Sequence, residues 1–151
     1  MCEVELCYTL VMDLQQLGKI LSADENIVFA LLFGSYADNS MHAMSDVDIA
    51  IYTKTEIDLM TTGYLVATLE SALDKTVDLV ILNNLCKKNP KLAFNITDKH
   101  KLIFCKNRND YIDFKANSLK YYFDTIYMYN MFDRALKERL ENGTYGKITK
   151  S

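Results

Sequence analysis

The 151-residue sequence has little of what would make it fibrous or membrane-spanning. Proline occurs once, glycine five times and tryptophan not at all, which excludes a collagen-like chain or a Pro/Gly-rich linker. No apolar run approaches the roughly 18 residues of a membrane-spanning helix. The first five residues carry acidic rather than basic side chains, unlike a signal peptide. We therefore expect a cytoplasmic protein without a membrane partner.

Cysteine and histidine are too few and too scattered for a zinc site or a disulfide framework. The four cysteines are Cys2, Cys7, Cys86 and Cys105, and no two are spaced as Cys-x-x-Cys. Two histidines add no zinc-type spacing. In a reducing compartment, these cysteines are expected to be free thiols.

Length and composition are those of one ordinary globular domain. Hydrophobic residues make up 50% and charged residues 25% of the chain, and single domains most often have about 100–150 residues. We expect a single domain over residues 1–151, with a core at about 5–106 and a C-terminal helix at about 110–142.

The net charge of −3 conceals an uneven distribution along the chain. Residues 1–86 contain 13 acidic and three basic side chains, whereas residues 87–151 contain seven acidic and 14 basic ones. Such an imbalance is typical either of an anionic ligand or partner, or simply of solvated helix faces.

Hydrophobic periodicity predicts an α+β fold, with helices packed against a small mixed sheet. Residues 27–33 form an uninterrupted apolar run, which predicts a buried central strand. The predicted elements, in chain order, are a helix over 4–20, strands over 27–33 and 46–52, a helix over 56–74 capped by Thr55, a strand over 76–82, a short helix over 90–98, an edge strand over 102–105, and a long helix that starts at Asn109 or Asp110.

Residues suited to binding a phosphate group and a divalent cation follow the first strand and begin the second. Gly34 permits a tight turn and a close approach of the backbone to a ligand. Ser35 offers a hydroxyl group and a backbone N–H to a phosphate. Asp46 and Asp48 stand two residues apart on a strand, so they project from the same face. Carboxylate oxygens and substrate phosphates are ligands that Mg²⁺ prefers.

Asp78 is a third candidate carboxylate, in the strand predicted over 76–82. Its neighbours Val77 and Leu79 are apolar, so a buried Asp78 would need a partner, and a metal shared with Asp46 and Asp48 would provide one. Exposed strands also carry paired aspartates, so a solvated strand face is the alternative.

Two segments resemble the signature of the nucleotidyltransferase superfamily typified by DNA polymerase beta. They are residues 32–37 (Leu-Phe-Gly-Ser-Tyr-Ala) and residues 45–50 (Ser-Asp-Val-Asp-Ile-Ala). The size of the chain and residues 77–83 resemble the minimal nucleotidyltransferase (MNT) branch. Residues 110–124 are similar to the C-terminal part of the MntA antitoxins, which accompany HEPN-domain ribonuclease toxins.

The resemblance implies a polymerase beta-like fold and an enzyme that transfers AMP from ATP with two Mg²⁺ ions. The aspartates that match Asp46 and Asp48 hold Mg²⁺ on the triphosphate, and the one that matches Asp78 completes the metal site. Gly34 and Ser35 match residues that contact the nucleotide. The implied acceptor is a tyrosine hydroxyl of a HEPN toxin, which the protein would bind in a hetero-oligomer and neutralise as its antitoxin.

Two other functions fit the same motifs. One is a small-molecule nucleotidyltransferase of the aminoglycoside type, although such enzymes usually have a second helical domain for which 151 residues leave little room. The other is an antitoxin that acts by binding alone.

Two further features bear on ligands. Many family members carry Arg-Gly two residues after the position of Tyr36, where this chain has Asp38 and Asn39; Asp38 cannot help to hold a phosphate. The helix after residue 109 carries more aromatic side chains than one helix face can bury, which predicts a protein interface. No aromatic pair is spaced for base stacking on a strand, so we expect no direct nucleic-acid binding.

Overall fold

The computed structural model describes residues 14–37 and 46–143. Their elements alternate much as the sequence predicts, with a mixed α+β architecture. In chain order they are α1 (residues 14–22), β1 (Ile27–Phe33), one 3-10 turn (Gly34–Tyr36), β2 (Val47–Thr53), α2 (Leu59–Leu73), β3 (Val77–Ile81), α3 (Leu85–Lys88), α4 (Pro90–Asp98), β4 (His100–Cys105) and α5 (Arg108–Glu141).

The four strands form one mixed sheet in the order β3-β2-β1-β4. β2 and β3 run parallel, whereas β1 pairs antiparallel with both β2 and β4. β1 is buried over nearly its whole length, because helices cover both faces of the sheet at this central strand. The predicted edge strand is confirmed as β4.

The side chains of β2 alternate between two cores on opposite faces of the sheet. Ile49 and Ile51 pack with Leu17 of α1 and Leu69 of α2. On the other face, a second core joins β1, β2 and β3 to α3, α4 and α5; it includes Phe29, Ala50, Leu82, Ile96 and Phe114. The sheet is therefore the middle of three layers.

The predicted start of α2 is wrong by three residues. Thr55 was expected to be the N-cap, but its hydroxyl donates to Oδ1 of Asn26 at 3.1 Å and caps no helix. The cap is Asp58, whose Oδ1 accepts the N–H of Thr61 at 2.8 Å. An aspartate is among the strongest N-caps because its carboxylate satisfies an otherwise unpaired backbone donor.

The sequence also predicts an apolar stripe on α2 that includes Met60, Tyr64, Leu65 and Leu69, and this prediction is partly wrong. Leu65 and Leu69 are buried as expected, but Met60 and Tyr64 are exposed. Leu65 and Leu69 stand four residues apart and share the helix face that packs on the core. Met60 and Tyr64 are rotated away from that face by about 100–180°.

Other boundaries differ from prediction by a few residues. The short helix α3 was not predicted, and β4 begins two residues earlier than predicted. α5 begins at Arg108, because Oδ1 of Asn107 accepts the backbone N–H groups of Asn109 and Asp110 at 3.0 and 3.4 Å. Of the first predicted helix, residues 4–13 lie outside the described part of the chain.

Three contacts fix the first half of α5 to the rest of the protein. The hydroxyls of Thr97 and Ser118 are 2.7 Å apart, and the rings of Phe94 and Tyr122 stack with centroids 4.0 Å apart. The Tyr111 hydroxyl and His100 Nε2 lie 2.6 Å apart. No residue of α5 beyond Tyr122 is buried.

No helix in the described residues is long and apolar enough to span a membrane.

Candidate functional site

The strand registers place the predicted site residues at one edge of the sheet. Asp48 pairs with Phe33 of β1 on one side and with Asp78 of β3 on the other. Directly paired residues of neighbouring strands point to the same face. The carboxylates of Asp48 and Asp78 therefore lie side by side, and Gly34 follows Phe33 at the same edge.

Gly34 packs directly against the Asp48 carboxylate. Its φ is +72°, a left-handed conformation that favours glycine. A Cβ added to Gly34 would overlap Oδ2 of Asp48 and lie 3.0 Å from its Cγ. Glycine is therefore required at this position for two reasons. It adopts the left-handed turn, and it leaves room for the Asp48 carboxylate.

The carboxylates at this edge interact electrostatically. Partial burial raises the pKa of Asp48, and the negative charges of Asp78 and Asp46 raise it further. Burial and neighbouring like charges both disfavour ionised carboxylates. A bound cation would relieve both effects, so the donor set fits a hard divalent ion such as Mg²⁺.

Two of the three carboxylates face solvent. Asp46 and Asp78 are exposed, whereas Asp48 is half-buried. Burial of Asp78, expected from its apolar neighbours, is therefore wrong, since only Val77 is buried beside it. Within residues 14–37 and 46–143, no three side chains are already gathered at metal-ligand spacing. The three aspartates share an edge, and like-charge repulsion opposes their closer approach.

Ser35 lies in the 3-10 turn that follows β1. The turn is closed by the N–H of Ala37, which donates to the Gly34 carbonyl at 3.0 Å, and Ser35 is half-buried. Its position next to Gly34 brings Ser35 to the edge that carries Asp48. Asp38, which replaces the usual basic residue, lies outside the described residues.

Lys75 is a cation near this edge that the sequence analysis missed. Its Nζ lies 4.9 Å from the centroid of the Tyr36 ring, in the turn that begins with Gly34. The N–H of Val47 donates to the Thr76 carbonyl at 2.9 Å, which brings the start of β3 beside the start of β2. Residues 1–86 contain only three basic side chains, and that scarcity was the available signal.

The basic residues of the C-terminal half do not form one patch. Lys101 pairs with Leu32 near the carboxylate edge. Lys87, in contrast, lines a cavity of about 390 Å³ together with Tyr52, Asp113 and Tyr121. Tyr52 lies four residues along β2 from Asp48, which corresponds to about 13 Å. Lys101 and Lys87 therefore lie towards opposite ends of the sheet.

Comparisons with known proteins give several relatives of this chain. A segment of the chain is 43% identical over 53 residues to "Protein adenylyltransferase MntA" from Shewanella oneidensis. That segment is 35% of this chain and spans only 38% of the relative's length.

Solved structures resemble the chain over most of its length. A crystal structure of a toxin–antitoxin with AMP-PNP has a TM-score of 0.55 and 25% identity, covering 82% of this chain and 92% of that chain. The structure of a tri-AMPylated Shewanella oneidensis HEPN toxin in complex with MNT antitoxin has a TM-score of 0.56 and 22% identity, covering 88% and 97%. The second likeness establishes the fold alone.

The sequence pattern described as "Polymerase beta, Nucleotidyltransferase" matches residues 15–109. The match includes Gly34, Ser35 and all three aspartates, and it ends where α5 begins. Because more than half of the chain matches, the protein belongs to the polymerase beta nucleotidyltransferase family.

Proposed function

We propose that this protein is a Mg²⁺-dependent adenylyltransferase that transfers AMP from ATP to a tyrosine hydroxyl of a HEPN-domain toxin and thereby acts as its antitoxin. The observation that carries the proposal is the pairing of Asp48 with Asp78, with Gly34 packed on the Asp48 carboxylate. The identity to the MntA adenylyltransferase supports AMP as the transferred group. The fold shared with an MNT antitoxin is consistent with a HEPN toxin as the acceptor.

In this proposal, Asp46, Asp48 and Asp78 hold two Mg²⁺ ions. When bound, these ions supply positive charge to the attacking and leaving oxygens of an in-line displacement. Gly34 leaves room for the Asp48 carboxylate, and Ser35 donates its hydroxyl and backbone N–H to a phosphate. Positioning and charge neutralisation account for most catalysis in such phosphoryl-group chemistry, because the protein makes no covalent bond to substrate.

The bond changes of the transfer balance without a further reagent. The tyrosine oxygen forms a bond to the α-phosphorus of ATP, and the bond from that phosphorus to the bridging oxygen of the β-phosphate breaks. Pyrophosphate leaves, and the tyrosine proton passes to solvent or to a carboxylate. In this proposal the incoming hydroxyl approaches beside Asp78, and the exposure of Asp78 and its pairing with Asp48 support that role.

The position of the label in ATP tests which part of the nucleotide is transferred. The protein is incubated with Mg²⁺, its HEPN-domain partner and ATP labelled on either the α- or the γ-phosphate. We expect label on the partner only from α-labelled ATP, and none with Asp46→Asn plus Asp48→Asn. Asp74→Asn is the matched control. Asp74 is an exposed acid in a left-handed backbone conformation, and asparagine tolerates that conformation. Transfer by the double variant, or label from γ-ATP, would contradict the proposal.

A further inference from the structure

The second half of α5 exposes large apolar side chains that the rest of the protein does not cover. α5 has 34 residues, and the ring of its Tyr122 stacks on Phe94 of α4. The 19 residues that follow extend for about 28 Å at 1.5 Å per residue. We call residues 123–132 the α5 surface.

Exposure on the α5 surface is high for residues of this type. Tyr127, Met128, Tyr129 and Phe132 are 68%, 70%, 71% and 75% exposed. Phe123 is also 59% exposed. With about 200 Å² per aromatic side chain, the four aromatic residues alone leave roughly 500 Å² accessible. That area approaches the roughly 800 Å² that each partner buries in a typical stable interface.

The composition of the α5 surface matches the centre of a protein interface. Residues 125–132 contain no charged side chain, whereas Asp124 precedes them and Asp133 and Arg134 follow. Interface centres are enriched in aromatic residues and methionine and depleted of charge, and a polar rim surrounds them. An amphipathic surface helix would instead show a polar face.

The apolar side chains surround the helix rather than forming one stripe. Tyr127, Met128 and Tyr129 are consecutive, so they point in directions about 100° apart around the helix axis. Two copies of α5 that paired through one stripe would cover only one of these directions and leave the others in water. A partner that contacts the helix from more than one side fits better. A groove formed by several helices can make such contacts.

We propose that the α5 surface is where the HEPN-domain toxin docks. This inference rests on the proposed function, in which that toxin is the acceptor of AMP. The match to the nucleotidyltransferase family ends at residue 109, so the docking helix lies outside the catalytic part of the chain. Such an arrangement separates partner recognition from the chemistry at the carboxylate edge.

Two matched double variants test the docking surface. Tyr129→Glu with Phe132→Glu places charge at its centre. Leu59→Glu with Met60→Glu is the control, since these two residues of α2 are 87% and 82% exposed and lie outside α5. Binding of the full chain to its HEPN-domain partner is measured by calorimetry, and helix content by circular dichroism. We expect a Kd roughly 100-fold weaker for the α5 variant and an unchanged Kd for the control.

The outcomes separate this inference from the proposed function. An unchanged Kd for the α5 variant would overturn the docking site even if AMP transfer is confirmed. A variant that loses self-association but still binds the toxin normally would identify a second copy as the occupant and also overturn it. Conversely, if the α5 variant abolishes binding while the wild-type protein transfers no AMP, the docking site stands and the proposed chemistry fails.

Discussion

Replacing Gly34 by alanine tests the contact between the glycine turn and the Asp48 carboxylate. At a φ of +72°, a residue with a side chain costs about 1–2 kcal/mol more than glycine. The added Cβ also overlaps Oδ2 of Asp48, and moving that side chain off its preferred rotamer costs about 0.5–1.5 kcal/mol. We therefore expect Gly34→Ala to reduce the free energy of unfolding by about 2–3 kcal/mol.

Urea denaturation of four proteins separates the two contributions. The four proteins are the wild type, Gly34→Ala, Asp48→Ala and the double variant, and the two contributions are the left-handed backbone and the overlap with the Asp48 carboxylate. Because Asp48→Ala removes the overlapping oxygen, Gly34→Ala should cost about 1 kcal/mol less in that background. A Gly34→Ala variant as stable as the wild-type protein would contradict the expected strain. An equal loss of unfolding free energy in both backgrounds would contradict the overlap with Asp48. AMP transfer by Gly34→Ala should also be lost under conditions where the variant remains folded.

Three other substitutions probe the site and its surroundings. Asp48→Asn should raise the free energy of unfolding at pH 7, because the raised pKa of Asp48 in the folded state means that its ionised carboxylate opposes folding. This gain should disappear below the ordinary pKa of 3.8, which urea titrations across pH can follow. Lys75→Met should raise the apparent KM for ATP roughly 10-fold, as measured by pyrophosphate release, whereas Lys54→Met should not, since Lys54 follows the opposite end of β2. Gly63→Ala should raise the free energy of unfolding by about 0.5–1 kcal/mol in the same urea assay, because Gly63 lies within α2 and a Cβ there meets nothing within 4 Å.

The sheet was predictable because its strands are apolar runs bounded by polar residues. The run from Ile27 to Phe33 is β1, and the alternation through Ile49 and Ile51 marks the buried face of β2. The start of α2 was less predictable, because Thr55 and Asp58 are both good N-caps and only the contact with Asn26 decides between them.

At the site, local spacing predicted which residues matter but not how they meet. The separation of Asp46 and Asp48 predicts a shared face of β2 from strand geometry alone. The pairing of Asp48 with Asp78 depends on the register of two strands 30 residues apart, which no local pattern encodes. Lys75 reaches Tyr36 in the Gly34 turn through the same long-range pairing, so the scarcity of basic residues in 1–86 could single it out but not place it.

The proposed function requires Asp46, Asp48 and Asp78 for the transfer of AMP to a partner protein. The most direct measurement is the intact mass of the HEPN-domain partner after co-expression with the wild-type protein or with the Asp46→Asn, Asp48→Asn variant. We predict that the partner gains whole multiples of the AMP mass only with the wild-type protein. If the partner keeps its unmodified mass with both proteins while the wild-type protein still neutralises the toxin, the enzyme mechanism is contradicted and binding alone accounts for neutralisation.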